Sequence, residues 1–254
     1  MNEKLQAFQR LLTIMDELRE QCPWDKKQTI ESLRHLTIEE TYELCDAILQ
    51  NDMSQIKGEL GDLFLHLVFY SRIASETKEF DVADVLNTVC DKLIHRHPHI
   101  YGDVKVENEE DVKRNWEQLK LKEGKKSVLE GVPSSLPALV KAIRVQDKAK
   151  GVGFDWDNKS QVWDKFQEEI KEFQEEEGKN NQEKMEEEFG DVLFSLVNYA
   201  RFVGINPEDA LEKTNRKFIS RFSFIEKEAA AQGKSLKEMT LNEMEAIWQR
   251  AKKG

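Results

Sequence analysis

The sequence predicts an all-α protein built from two tandem helical bundles, and three observations carry that expectation. The 254 residues include only 12 Gly and 5 Pro, and Val, Ile and Thr never form a long alternating run, so strand signals are weak throughout. Apolar residues recur at threes and fours along most of the chain, the mark of amphipathic helices. The same landmarks also occur twice, in the same order, which makes the architecture a duplicated one.

The elements follow in chain order. Leu5, Phe8, Leu11, Leu12, Met15 and Leu18 line one stripe of a first helix. Comparable stripes predict helices over about 30–49, 54–77, 82–95 and 109–121. Gly131-Val132-Pro133-Ser134-Ser135-Leu136-Pro137 then breaks the pattern with two prolines and a glycine, as a connection between domains does. The expected domains are therefore 1–130 and 131–254. Helical patterns resume over about 138–150, 160–177, 182–203, 207–231 and 240–252.

The repeat is in register. Ile38-Glu39-Glu40-Thr41-Tyr42-Glu43 matches Gln167-Glu168-Glu169-Ile170-Lys171-Glu172, and Glu59-Leu60-Gly61-Asp62 matches Glu188-Phe189-Gly190-Asp191, both at an offset of 129. The same offset carries Leu67, Val68, Tyr70 and Arg72 onto Leu196, Val197, Tyr199 and Arg201. Trp24-Asp25 pairs with Trp156-Asp157, Lys92 and Arg96 pair with Lys217 and Arg221, and Trp116 and Lys120 pair with Trp248 and Lys252. Offsets that wander by a few residues mean a duplicated domain with small loop changes.

Composition narrows the function. With 38 basic and 49 acidic side chains the formal charge is -11, which argues against broad nucleic-acid binding, since phosphate neutralisation needs clustered Lys and Arg. No run of apolar residues is long enough for a membrane span, and Met1–Arg10 lacks the order of a secretory signal. Cys22, Cys45 and Cys90 are scattered and odd in number, which fits a reducing compartment, and a cytoplasmic protein is expected. There is no P-loop, Rossmann glycine fingerprint or GxSxG elbow.

The repeated acids carry the chemistry. Residues i and i+3 share a helix face, so Glu169 with Glu172, and Glu188 with Asp191, each present two carboxylates sideways. Both Glu172/Glu188 and Glu169/Asp191 are centred on Asn180, among turn residues Gly178, Asn180 and Asn181. An antiparallel hairpin turning there sets these acids opposite one another. In the first copy Glu43/Glu59 and Glu40/Asp62 are both centred on Asn51. Four converging carboxylates repel unless a cation joins them, and an all-oxygen set without His or Cys suits Mg²⁺, with Mn²⁺ as a substitute. Taken alone, acidic runs such as Glu175-Glu176-Glu177 are solvated helix faces; the symmetric placement, made twice, is what singles these acids out. Gly61 and Gly190 weaken their helices, and a close approach of another helix or a ligand is expected there. Lys217 and Arg221, one turn apart, suit polyphosphate oxygens, and Lys165 lies a turn before Glu169. Trp248, with Lys252 nearby, offers a base-stacking face, although tryptophans at such spacing are more often core. His95, His97 and His99 surround Pro98 at a helix end and have no counterpart in the second copy, which weighs against a metal role.

EExxE, fifteen residues and then ExxD, followed by a Lys/Arg helix, resembles the motif of the MazG nucleotide pyrophosphohydrolases. Cys22-Pro23-Trp24-Asp25, Arg96-His97-Pro98-His99 and Gly153-Phe154-Asp155-Trp156 read as further landmarks of that family, so the resemblance spans nearly the whole chain. It implies an all-α bundle that dimerises, requires Mg²⁺ and hydrolyses nucleoside triphosphates, with broad base tolerance, to the monophosphate and pyrophosphate. The implied metal ligands are Glu169, Glu172, Glu188 and Asp191, and Glu40, Glu43, Glu59 and Asp62 in the first copy. Glu168 or Glu169 is the expected base for the attacking water. Lys165, Glu168, Lys184, Glu187, Asn215, Lys217, Arg221, Trp248 and Lys252 form the expected nucleotide-binding set. Leu36, Gln55 and Cys90 stand where the second copy has Lys165, Lys184 and Asn215, so catalysis is expected in the second copy. The competing readings are a pyrophosphatase for one nucleotide, such as dUTP or phosphoribosyl-ATP, and a non-catalytic nucleotide-sensing scaffold.

Overall fold

A computed structural model describes residues 2–108, 111–112, 115–116, 119 and 127–252. Every regular element among them is helical. The chain forms two compact units, Met1–Lys105 and Val106–Gly254.

In the first unit, α1 (Glu3–Gln21) starts on Asn2, whose side chain accepts from the Lys4 amide at 3.1 Å. A 3₁₀ turn (Asp25–Lys27) leads to α2 (Ile30–Gln50), which opens on a reciprocal Thr29/Ser32 capping box. Helix α2 ends at Asn51, which adopts the left-handed conformation (φ 56°), one that asparagine tolerates better than most residues. Asp52 then caps α3 (Met53–Glu76) by accepting from the Ser54 and Gln55 amides. A two-residue turn therefore closes an antiparallel hairpin. Helix α1 lies across it over a core of Met15, Leu33, Val68 and Phe69. Arg19 of α1 bonds Glu76 at 2.8 Å and the Gln28 carbonyl at 3.0 Å, tying the start of α2 to the end of α3. Helices α4 (Val82–Arg96) and α5 (Pro98–Tyr101) follow, and neither has a fully buried residue.

The second unit holds α6 (Ala138–Lys150), α7 (Lys159–Lys179), α8 (Gln182–Phe202), α9 (Pro207–Ala231), a 3₁₀ turn (Leu236–Glu238) and α10 (Leu241–Ala251). The turn is repeated: Asn180 is left-handed (φ 52°) and Asn181 caps α8. Helix α6 takes the place of α1, with Gln146 donating to the Phe194 carbonyl at 2.8 Å. Past the hairpin, the C-terminal half of α9 packs on α10 through Ile225, Ala229, Met239 and Ile247.

The division between units falls earlier than the boundary expected at 130/131. Lys148, 2% exposed, donates to the Val128 carbonyl at 2.7 Å, and Lys141 donates to the Ser134 carbonyl at 2.6 Å. The glycine- and proline-bearing segment is thereby fastened to α6, inside the second unit. Of the helix expected over 109–121, several residues, Lys120 among them, lie outside the described ones. The other expected helices are found within a few residues of their predicted ends.

Candidate active site

The α7/α8 hairpin sets Glu172 against Glu188, as their equal distances from Asn180 require. Glu169, Glu172 and Glu188 each offer an oxygen, and these atoms all lie within 4.8 Å of one another. Glu40, Glu43 and Glu59 form the same grouping on α2/α3. Glu169 is buried, at 7% exposed. Its cost in desolvation is offset by Lys165, whose ammonium lies 2.8 Å from both Glu169 and Glu168. Across the hairpin, Phe173 meets Phe189 and Trp163 meets Tyr199, with ring centroids 5.7 and 4.9 Å apart. These aromatic pairs flank the acids and hold the two helices in register.

The acids are not at electrostatic ease. Burial pushes the Glu172 carboxyl above its ordinary value, and the Glu169 charge adds to the shift while Lys165 opposes it. In the first copy burial likewise raises Glu40, assisted by Asp62, Glu43, Glu59 and Glu39. Glu59 is raised by burial and then by Glu43. Hydrogen bonds to Glu168 and Glu169 hold Lys165 firmly protonated, and Glu187, at 2.5 Å, does the same for Lys184. An oxygen-only donor set, crowded enough to disfavour its own ionisation, fits a hard divalent cation.

Asp62 and Asp191 stand outside the two groupings. Aspartate is one methylene shorter than glutamate, and each lies a helical turn beyond its hairpin glutamate. Asp62 still acts on Glu40 and Glu59 through space. Of the residues expected on α9 and α10, Arg221 and Trp248 meet in a second assembly. The Arg221 guanidinium lies over the Trp248 ring, 5.5 Å from its centroid, and Phe218 packs on the same ring at 5.2 Å. Asn215 donates to Glu212 at 3.4 Å, while Lys217 and Lys252 are exposed. Among the described residues no hydrogen bond or ion pair joins this assembly to the acids.

The family model described as the MazG nucleotide pyrophosphohydrolase domain matches residues 28–101 and 159–223. Each match contains one complete hairpin with its glutamate trio. The chain belongs to the MazG nucleotide pyrophosphohydrolase family. It is 43% identical to the nucleoside triphosphate pyrophosphohydrolase of Escherichia coli strain K12, over 98% of each chain. It is also 43% identical to the nucleoside triphosphate pyrophosphohydrolase/pyrophosphatase MazG of Thermotoga maritima, over 97% of this chain and 96% of that one. An uncharacterized protein of Bacillus subtilis, YabN, is 45% identical over 96% of this chain and 51% of its own length.

One feature of the MazG hairpins was not read from the sequence. In the first, Thr37 bonds both His66, at 3.1 Å, and Tyr70, at 2.7 Å, where the second has Phe166, Ser195 and Tyr199. The signal was present in the register that aligned Tyr70 with Tyr199. At Gly61 and Gly190, where a helix or a ligand was expected to come close, the described residues leave room for the ligand. A Cβ built at either meets no described atom within 4 Å.

Proposed function

We propose that the second MazG repeat is a Mg²⁺-dependent site that hydrolyses nucleoside triphosphates to the monophosphate and pyrophosphate. The observation that carries this reading is the trio of Glu169, Glu172 and Glu188 with Lys165 on its edge. The relatives' activity on nucleoside triphosphates supports it. When bound, the divalent ion supplies charge neutralisation for the triphosphate and a lowered pKa for the water beside it. Water adds to a phosphorus of the α,β bridge, the bridging P–O bond breaks, and the water's proton passes to a carboxylate. Glu168 suits that last task. It stands outside the trio, and its carboxylate lies 2.8 Å from the Lys165 ammonium at the edge of the site.

Lys217 and Arg221 offer cations to the phosphate oxygens, and Trp248 offers a face to the base. Stacking is indifferent to base identity, so broad tolerance is the expected outcome. The decisive experiment is chromatographic analysis of a mixed triphosphate pool incubated with and without Mg²⁺. Monophosphates and pyrophosphate should accumulate from several bases, and only with the metal. Products from a single nucleotide would favour the specialised reading.

We further propose a homodimer. Leu193, Phe194 and Leu196 on α8, with Leu211, Phe218, Ile219 and Phe222 on α9, leave large apolar side chains exposed, which a second copy would cover. Sedimentation at micromolar concentration would test it, a monomeric mass being the contrary result. A cytoplasmic setting is supported by Cys22, Cys45 and Cys90 being unpaired and by the lack of any described helix long and apolar enough to cross a membrane.

A further inference from the structure

Lys165 is placed oddly for a residue that only reads phosphate. Its ammonium lies 2.8 Å from Glu169, the buried member of the trio, and 2.8 Å from Glu168. A cation and a divalent metal that share one carboxylate weaken each other's hold on it, because the two positive charges repel at such range. We infer that Lys165 and the divalent ion compete for Glu169, so that loading the metal frees the ammonium to engage the nucleotide's phosphates. The inference rests on the metal reading of the trio given above. It deepens that reading by making metal and phosphate binding two halves of one exchange.

The geometry supports an exchange rather than a fixed pair. Lys165 sits one turn before Glu169 on α7, and its side chain is partly exposed, so its flexible stem can swing outward while Glu169 stays buried. Glu168 lies at the exposed end of that swing and gives the ammonium a second partner without blocking the trio. Lys184 forms no such link. It pairs with Glu187, which is not part of the trio. The first repeat lacks the device altogether, because Leu36 occupies the matching position and packs against that unit's core.

The test is Mn²⁺ titration of the full chain followed by electron paramagnetic resonance of the free ion. A Glu43→Ala background silences the first trio. Against it, Lys165→Met should tighten binding about fivefold, the scale of a partly exposed ion pair, whereas Lys184→Met should leave it nearly unchanged. Acylation of Lys165 by an amine reagent, read by peptide mass spectrometry, should also speed up when Mn²⁺ is added. Unchanged or weaker binding in Lys165→Met would overturn the exchange. So would an equal gain from both lysine variants, which would report net charge alone. Adding Glu172→Ala to the background should abolish the binding; if it does not, the metal reading itself falls, independently of Lys165.

Discussion

The two hairpins share a backbone plan and differ in their cations. Both turn on a left-handed asparagine followed by a capping Asp or Asn, and both gather three glutamates. The second adds Lys165 and Lys184 beside its acids; the first has Leu36 and Gln55. The first instead buries a polar cluster of Thr37, His66 and Tyr70 beneath the same helices. A trio of carboxylates is enough to attract a divalent ion, but a triphosphate also needs cations on its far oxygens. On the function proposed above, either copy can take the metal ion, and Lys165 and Lys184 are what reserve turnover for the second.

The largest effect that can break this comparison is loss of a ligand. Glu172→Ala should lower pyrophosphate release in Mg²⁺ by on the order of 1,000-fold, the scale of losing a principal electrostatic group. Glu43→Ala at the matching place should change it little. Equal losses in the two variants would mean that both repeats turn over substrate, and circular dichroism would confirm that each variant keeps its helices.

The next effect concerns α10, whose repeat partner around Trp116 is described only in part. Ile247 is buried with Ile225, Ala229 and Met239. Ile247→Ala should cost about 2–4 kcal/mol through lost burial and an unfilled cavity. It should also loosen Trp248 from Arg221, raising KM for the nucleotide more than it lowers kcat. A thermal melt and a substrate titration would read the two parts separately. An unchanged KM would remove Trp248 from the binding set.

Much of this arrangement was legible in the sequence because it depends on local chemistry and counting. Asn51 and Asn180 sit at the midpoints of the acid pairs, and helices of fixed rise convert equal spacing into opposition. The aspartates of ExxD lie outside the closest glutamate groupings, and Asp62 acts on Glu40 and Glu59 through space, in keeping with the shared face that the spacing predicts. Lys148 was invisible to such counting. A buried ammonium satisfied by the Val128 and Glu130 carbonyls depends on tertiary path, and no periodicity records that.

Gly190 offers a smaller effect in which stability and activity should part company. With no described atom near its Cβ position, Gly190→Ala should stabilise α8 by about 0.5–1 kcal/mol, the helix-propensity difference. If substrate approaches the helix there, pyrophosphate release should fall even as the melting temperature rises. A variant both more stable and fully active would show that the open face at Gly190 takes no part in the reaction.

The smallest effect tests whether the buried polar cluster makes the first hairpin the more acid-sensitive one. Burial holds the His66 imidazole below its ordinary value of 6.5, with Asp62 pulling the other way. A base with a lowered folded pKa is neutral in the native state where the unfolded chain would already bind a proton. Its contribution is therefore complete above about 6.5 and is lost as pH falls through that value towards the lowered one. Ser195 occupies the matching place in the second hairpin and does not titrate. Hydrogen exchange measured between neutral and mildly acidic pH should therefore loosen α2 and α3 before α7 and α8. His66→Ser should abolish that difference, whereas an order that persists in the variant would place the acid sensitivity elsewhere in the first unit.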